Sequence, residues 1–422
     1  MKQFKQLFLY AVLITAAFTG CKKANSDVDV TKEVIGSGTL NGEVYGIWPR
    51  GSVQRISGDI IIPEGKSLVI EEGVLVLMDT LAKPEIIVKG NLYSMGTAEN
   101  PVKFTIEENY RTDSRKFGKQ WGGILAAPTS AEVLLDNTIL EYGGGTTTES
   151  STSVKMGLYK AVSGENLPAL WFSNANGTLV VTNCIFRNFQ EDCTYIEGGK
   201  IIFSNNSFYT TGLTGGEGIN IKSGCIADVS YNLFYATNTN AMKLSNSGDR
   251  TPQAHVIAYN NTILNTGWRR PTVKGGSIWL EATVFTELHN NLFANARFGI
   301  KRDTKKPEDT RSVNSYNLYY GFTQATVDQF QPSADVVGGK NDIIGKTAGV
   351  NDPKFVNYPL NTAGDNADFN RSWDFHLQEG SPALGAGTTD FVRNFPNGLT
   401  INDINYPSPA PSSFIGAFGT KK

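Results

Sequence analysis

Several short apolar stretches of this 422-residue chain carry aromatic, amide and charged residues at matching places. They are Leu170-Trp171-Phe172-Ser173, Thr194-Tyr195-Ile196-Glu197, Ile219-Asn220-Ile221-Lys222, Met242-Lys243-Leu244-Ser245, Ile278-Trp279-Leu280-Glu281 and Phe298-Gly299-Ile300-Lys301. Read as strands, their first and third residues face inward and their second and fourth face solvent. Stacked, the second column runs Trp171, Tyr195, Asn220, Lys243, Trp279, Gly299, and the fourth runs Ser173, Glu197, Lys222, Ser245, Glu281, Lys301. Aromatic faces stack on pyranose rings while amides and charges bond hydroxyls and carboxylates, so these columns suit a sugar-binding trough. The substrate-binding candidates are Trp171, Tyr195, Glu197, Asn220, Trp279, Glu281 and Lys301.

Catalysis would need more. Glu197 and Glu281 fall three coils apart, roughly 14 Å at the usual strand spacing. A glycoside hydrolase needs its two carboxyl groups within about 9.5 Å, so this pair is too far apart. A lyase needs a base and a cation to neutralise a uronate carboxylate. Lys222 and Lys243 sit on neighbouring coils, where each lowers the other's proton affinity. Lys301, Arg302, Arg250 and the run Trp268-Arg269-Arg270 could meet an anionic sugar, which makes Lys222, Lys243, Arg269 and Arg270 the catalytic candidates. Calcium enters only under that lyase reading, since no cluster of acidic ligands accompanies these residues. No other cofactor is evident.

The element that must position these columns is a repeat. Asn followed two residues later by an apolar or aromatic side chain occurs at Asn137, Asn183, Asn206, Asn232, Asn261, Asn291 and Asn317. The spacing is about 23 to 30 residues, with one interval of double length, which marks a stacked repeat. Between these positions the pattern alternates with period two, so the unit is a coil of short strands. Asn tolerates left-handed backbone and suits a tight bend between strands, where successive amides would lie one above another. These residues resemble right-handed parallel β-helices of the pectate-lyase-like type, over roughly residues 38 to 419. The resemblance implies an all-β solenoid with an asparagine ladder, and polysaccharide-related chemistry as an expectation.

In that frame residues 38–106 form N-terminal cap coils, marked by the acidic-Gly turns at Glu64-Gly65 and Glu72-Gly73. Residues 121–320 form the regular coils, with a long insertion at 143–166 expected to shape a binding surface. Residues 321–422, including Trp373-Asp374-Phe375-His376-Leu377 and a last strand at Phe414-Ile415-Gly416-Ala417-Phe418, are expected to close the bottom of the stack.

The N-terminus reads as an export signal: Lys2 and Lys5, then an apolar run from Leu7 to Phe18 too short to span a bilayer with assurance. Thr19-Gly20-Cys21 resembles a bacterial lipobox. It implies that residues 1–21 are a lipoprotein signal with Cys21 lipidated, and that 22–37 are a flexible tether. The expected location is outside the cytoplasm, anchored by lipid to a bacterial membrane, with the outer membrane or cell surface favoured. With 38 basic and 40 acidic residues, net charge is −2, and no basic stripe invites nucleic acid. Cys184, Cys193 and Cys225 lack the spacing of a zinc site and read as buried packing thiols. The sequence thus supports a monomeric surface lipoprotein that binds glycan or another cell-surface partner. A polysaccharide lyase is the alternative and a structural adhesin or spacer the third reading.

Overall fold

The computed structural model describes residues 33–421 apart from 214, 274 and 275. Cys21, the signal segment and most of the tether lie outside the described residues. The rest is a right-handed parallel β-helix, in which each regular coil contributes one short strand to each of three walls. The first wall is a ten-stranded parallel sheet from Gly46–Trp48 to Val313–Ser315. The third wall runs through Ile86–Val88, Ile124–Ala126, Leu170–Phe172, Thr194–Ile196, Ile219–Ile221, Met242–Ser245, Ile278–Glu281 and Ile300–Arg302. The second lies between them in chain order. Val53–Ile62 is long enough to turn the corner, pairing with Leu75–Met78 by its first half and Ile86–Val88 by its second.

Alternation drives the fold. Along the second wall the inward column Phe186, Phe208, Phe234, Ile263, Phe293, Tyr319 stays in register coil after coil. Phe186, Phe208 and Phe234 stack face to face at 5.0 and 4.8 Å between centroids. Cys184, Cys193 and Cys225 are free and buried in the same interior.

The bend from first to second wall needs one residue of left-handed backbone. Asn137, Asn183, Asn205, Tyr231, Asn260, Asn290 and Tyr316 occupy it, with φ between 45° and 57°. The next residue turns inward, and only from Asn206 onward is it asparagine. Seven asparagines were expected in one ladder, but Asn137 and Asn183 sit one place earlier and face out. Their inward neighbours are Thr138 and Cys184. The buried ladder is Asn206, Asn232, Asn261, Asn291, Asn317 and finally Asp342. Each Oδ1 accepts the backbone N–H and, along the amides, the Nδ2 of the preceding rung. Each Nδ2 also donates to a backbone carbonyl one coil back, such as Val229 O from Asn261. Buried amides that satisfy every donor and acceptor in this way cost nothing in lost hydration and fix the register.

Both ends depart from expectation. Glu33 and Ile35 exchange backbone hydrogen bonds with Ile47, so pairing begins before residue 38. At the other end only residues up to about 344 close the stack: the helix Gln324–Gln329, Phe330 against Tyr319, and Val336–Val337 antiparallel to Ile300–Arg302. The remaining residues turn back along the outside. Phe355, Tyr358, Phe375 and Leu377 cover Tyr235, Leu264, Leu292 and Leu318 of the second wall. Leu399 and Ile401 cover Tyr93, Leu134, Val180 and Ile202 of the first. Phe414–Phe418 forms no strand. Ile415 instead buries itself against the second wall, with Gly416 N–H donating to Asn290 O. The apolar outward residues of these two walls are the reason: left bare, they would form a patch of the kind that aggregates.

Candidate functional site

With two walls covered by the returning C-terminal segment, the third decides where a ligand can reach. Its outward column is Ile61, Ile87, Leu125, Trp171, Tyr195, Asn220, Lys243, Trp279, Lys301. The apolar early members are roofed by the 143–166 insertion, whose Leu158 and Tyr159, with Leu167 just after it, pack on Ile87, Leu125 and Trp171. Glu85 fastens that roof by accepting from the backbone N–H and hydroxyl of Ser153, at 2.7 and 3.0 Å. Tyr159 sits edge-on to Trp171 and Tyr195. Beyond Tyr195 the roof ends and the column becomes polar.

Several expected positions change meaning. Trp171 is buried, 3 % exposed, with its Nε1 donating to Glu197 at 2.7 Å, so it offers no open stacking face. The expected trough between Trp171 and Trp279 therefore starts one or two coils later. Glu197 is occupied by Trp171 and by Arg250, whose guanidinium also donates to Ser173 O. Gly299 is not in the column: Phe298 takes left-handed backbone and carries the chain two residues further, so Lys301 pairs beside Trp279. Lys301 is held by Asp335 at 3.0 Å and lies over Phe298. Arg269 donates to Thr211 O, Gly212 O and Ala236 O and stacks on Phe117, a tie between coils. Burial lowers its pKa to about 10. Arg270 goes the other way, into the cleft.

What remains is a cleft of about 390 Å³ on the unroofed half of the third wall, lined by Glu191, Gly215, Glu217, Asn240, Lys243, Arg270, Trp279, Glu281 and Asp303. Trp279 stands half-buried and donates its Nε1 to Glu281 at 2.7 Å, while Lys243 meets the other carboxylate oxygen at 3.3 Å. Burial alone would raise the Glu281 pKa, but Trp279, Lys243 and Lys222 outweigh it and leave Glu281 below the usual range. Lys222 lies over the Tyr195 ring. Burial and then the charge of Lys243 depress its pKa, against the pull of Glu281, Glu217 and Asp192.

Glu191, Asp192, Glu217 and Asn240 were not among the candidates. Asp192, Glu217 and Asn240 each stand two residues before the strand starts Thr194, Ile219 and Met242. They form a short polar ladder of their own. Glu217 N–H donates to Asp192 Oδ1 at 2.9 Å, Asn240 Nδ2 to Glu217 Oε1 at 3.3 Å, and Gly276 N–H to Asn240 Oδ1 at 2.9 Å. The Asp192 and Glu217 carboxyl groups also hydrogen-bond each other, which requires one shared proton. Burial and the facing Glu217 charge push Asp192 well above the carboxylate range, so Asp192 holds it. Burial pulls Glu217 upward too, but the bond from Asp192 and the charge of Lys243 outweigh it and keep Glu217 ionised. Glu191, on the same coil as Asp192, is raised by burial and by Glu217. A column two places upstream of each aligned strand, carrying Asp, Glu and Asn in succession, was the available signal. Among the described residues no group of three or more His, Cys, Asp or Glu side chains could hold a metal ion.

No protein-family model matches this chain, and no curated protein matches it in sequence. Among solved structures it is similar to one described as a new PL6 alginate lyase complex with trisaccharide. That match has 10% identity and a TM-score of 0.26, and covers 74% of this chain and 81% of the other. A likeness this low carries no argument about chemistry.

Proposed function

We infer that the protein binds an anionic glycan along the unroofed half of its third wall, and does so as an exported protein tethered by a lipid on Cys21. The supporting observation is that a half-buried tryptophan stands beside two cations, Lys243 and Arg270, on the stretch of wall that neither the insertion nor the C-terminal segment covers. Trp279 supplies a face for a sugar ring, and the cations meet uronate carboxylates. Tyr195, Asn220 and Lys222 extend the surface towards the roof. The apolar run before Cys21 supports the anchor.

Titrating uronate and neutral oligosaccharides against the soluble domain tests this. Uronate oligomers should shift the fluorescence of Trp279, and Trp279→Ala or Arg270→Ala should weaken binding by at least about tenfold, while Trp171→Phe should not. Equal binding by all three variants would refute the placement. For the anchor, palmitate incorporation should be lost in Cys21→Ala.

A second reading is β-elimination with Lys222 as base. Its depressed proton affinity favours the neutral amine that such a step needs. Calcium would have to be held by carboxylates already bonded to each other or to Lys243, so no step is assigned to it. Appearance of ultraviolet absorbance from new double bonds, lost in Lys222→Ala, would establish this reading.

A further inference from the structure

We propose that the protein also binds a compact oxyanion, a phosphate or sulfate group, in a second cleft on the early coils of the second wall. The cover on that wall has a gap there. Between the loop at 106–118 and the returning segment at 367–371, a cleft of about 430 Å³ opens onto the strands Val102–Thr105, Thr138–Glu141 and Ile185–Phe189. Five cations line it, Lys103, Arg111, Lys116, Arg187 and Arg371, against three carboxylates, Asp113, Glu141 and Asp368. The chain as a whole carries a net charge of −2, so this excess of two positive charges is local and not a property of the surface at large.

Two of the three carboxylates are already committed. Glu141 and Arg187, with side chains 2 % and 11 % exposed, meet at 2.5 Å on the floor. Glu141 also accepts from the Thr105 hydroxyl at 2.6 Å, and Arg187 donates to Tyr209 Oη at 3.1 Å. Asp368 pairs with Lys116 at the rim. Arg111 is held by its Nε, which donates to Ile106 O at 2.9 Å. Its two terminal nitrogens, the Lys103 ammonium and the Arg371 guanidinium have no hydrogen bond or ion pair among the described residues. That leaves three free cations, one each from the wall, the loop and the returning segment, with Asp113 the one uncommitted carboxylate among them. Like charges gathered from three separate segments repel one another unless a counter-charge joins them.

The rings in the cleft offer no open face. Tyr209 stacks on Phe369 with centroids 4.2 Å apart, and Tyr142 is buried. A sugar ring has nothing to lie on here, in contrast to Trp279. What the cleft offers is guanidinium and ammonium donors, the set that suits the tetrahedral oxygens of phosphate or sulfate. Phosphate and its monoesters carry up to about two negative charges, which matches the excess. Bound between Arg111 and Arg371, the oxyanion ties the loop to the returning segment, beside the bond from Thr210 Oγ1 to Ala367 O at 2.7 Å. Since it binds the folded chain alone, it stabilises that chain by mass action.

Titrating the full chain with inorganic phosphate, at an ionic strength held constant with chloride, tests this by calorimetry and thermal unfolding. One phosphate should bind per chain, and the melting temperature should climb with the logarithm of phosphate concentration but not with chloride alone. Arg111→Ala and Arg371→Ala should each weaken binding at least about tenfold. Arg371 is exposed, so its replacement leaves the packing intact, and Arg371→Lys should keep part of the affinity. Lys305→Ala, which removes an exposed cation outside the cleft, should leave binding unchanged. Glucose 6-phosphate and glucose 6-sulfate separate the two sources of the group. Competition by either ester assigns an ester-borne oxyanion and exclusion of both assigns the free ion; each keeps the proposal. No binding of phosphate or either ester up to about 10 mM, or binding that Arg111→Ala and Arg371→Ala both leave intact, overturns it. Neither of those results bears on the uronate titration at Trp279.

Discussion

Replacing Asn261 by alanine tests whether the buried amide ladder, rather than asparagine in general, holds the coils in register. Asn261 Oδ1 accepts from the backbone N–H and the Nδ2 of Asn232, both at 3.0 Å. Its Nδ2 donates to Val229 O at 3.0 Å and Asn291 Oδ1 at 2.9 Å. After truncation Asn232 Nδ2 still has Phe203 O, and Asn291 Oδ1 still has the Asn261 backbone N–H. The Asn232 backbone N–H has nothing else, in a position with no solvent. An orphaned buried donor costs about 1–3 kcal/mol and each of the three further lost bonds about 1 kcal/mol, giving about 4–6 kcal/mol in all. Asn183 lies exposed at the bend and gives up one bond, to Asp136, plus its tolerance of left-handed backbone; Asn183→Ala should cost about 1–2 kcal/mol. Urea unfolding followed by circular dichroism would show the difference as a shift of midpoint at unchanged slope. If Asn261→Ala is no worse than Asn183→Ala, the ladder does not carry the register and the reasoning fails.

Other outcomes follow from the same geometry. Asp192 is more readily protonated in the folded chain than in the unfolded one. Its contribution is therefore intact below the ordinary aspartate pKa of about 3.9 and is eroded as pH rises towards its folded value. Asp192→Asn should remove that slope, leaving the variant at least as stable as the wild type at pH 7; a melting point lower at pH 7 but equal at pH 4 would contradict it. Acrylamide should quench Trp279 readily and Trp171 hardly at all, and Tyr159→Ala should open Trp171 to the quencher. Cys184, Cys193 and Cys225 should react with a thiol reagent only on unfolding, since burial both hides them and raises their pKa. A chain ending at residue 344 should bind anilinonaphthalene sulfonate strongly through the bared Tyr235, Leu264 and Leu292; an unchanged signal would show that other residues cover that wall.

The solenoid was legible because its two signals are local: alternation within a strand and asparagine at a bend. Register was legible to within one residue, and that residue mattered. Asn137 and Asn183 satisfy the same turn geometry as Asn205 and Asn260, so a pattern of asparagines does not say which one faces inward. The outward column was laid out from strand cores, which brought in Lys243 and Trp279 but left out Glu191, Asp192 and Glu217, because bend residues have no alternation to betray them. Trp171 was misplaced for a different reason. Whether an outward side chain meets water depends on a loop that reaches it from elsewhere in the chain. Nothing around Trp171 announces Tyr159 above it. The returning C-terminal segment was hidden likewise, since Trp373 and Phe375 read equally well as a cap or as a cover.

That returning segment changes what kind of object the molecule is. In a bare stack each coil touches only its neighbours, so the free end can peel one coil at a time. Here Asn402 N–H donates to Glu132, and Asn402 Nδ2 reaches the Met95 sulfur across 307 positions of chain, while Lys116 pairs with Asp368. Residues late in the chain thus clasp coils formed near its start. Until they arrive the rod is a zipper open at one end; afterwards it is a buckled belt, in which loosening any one coil means undoing the strap across many.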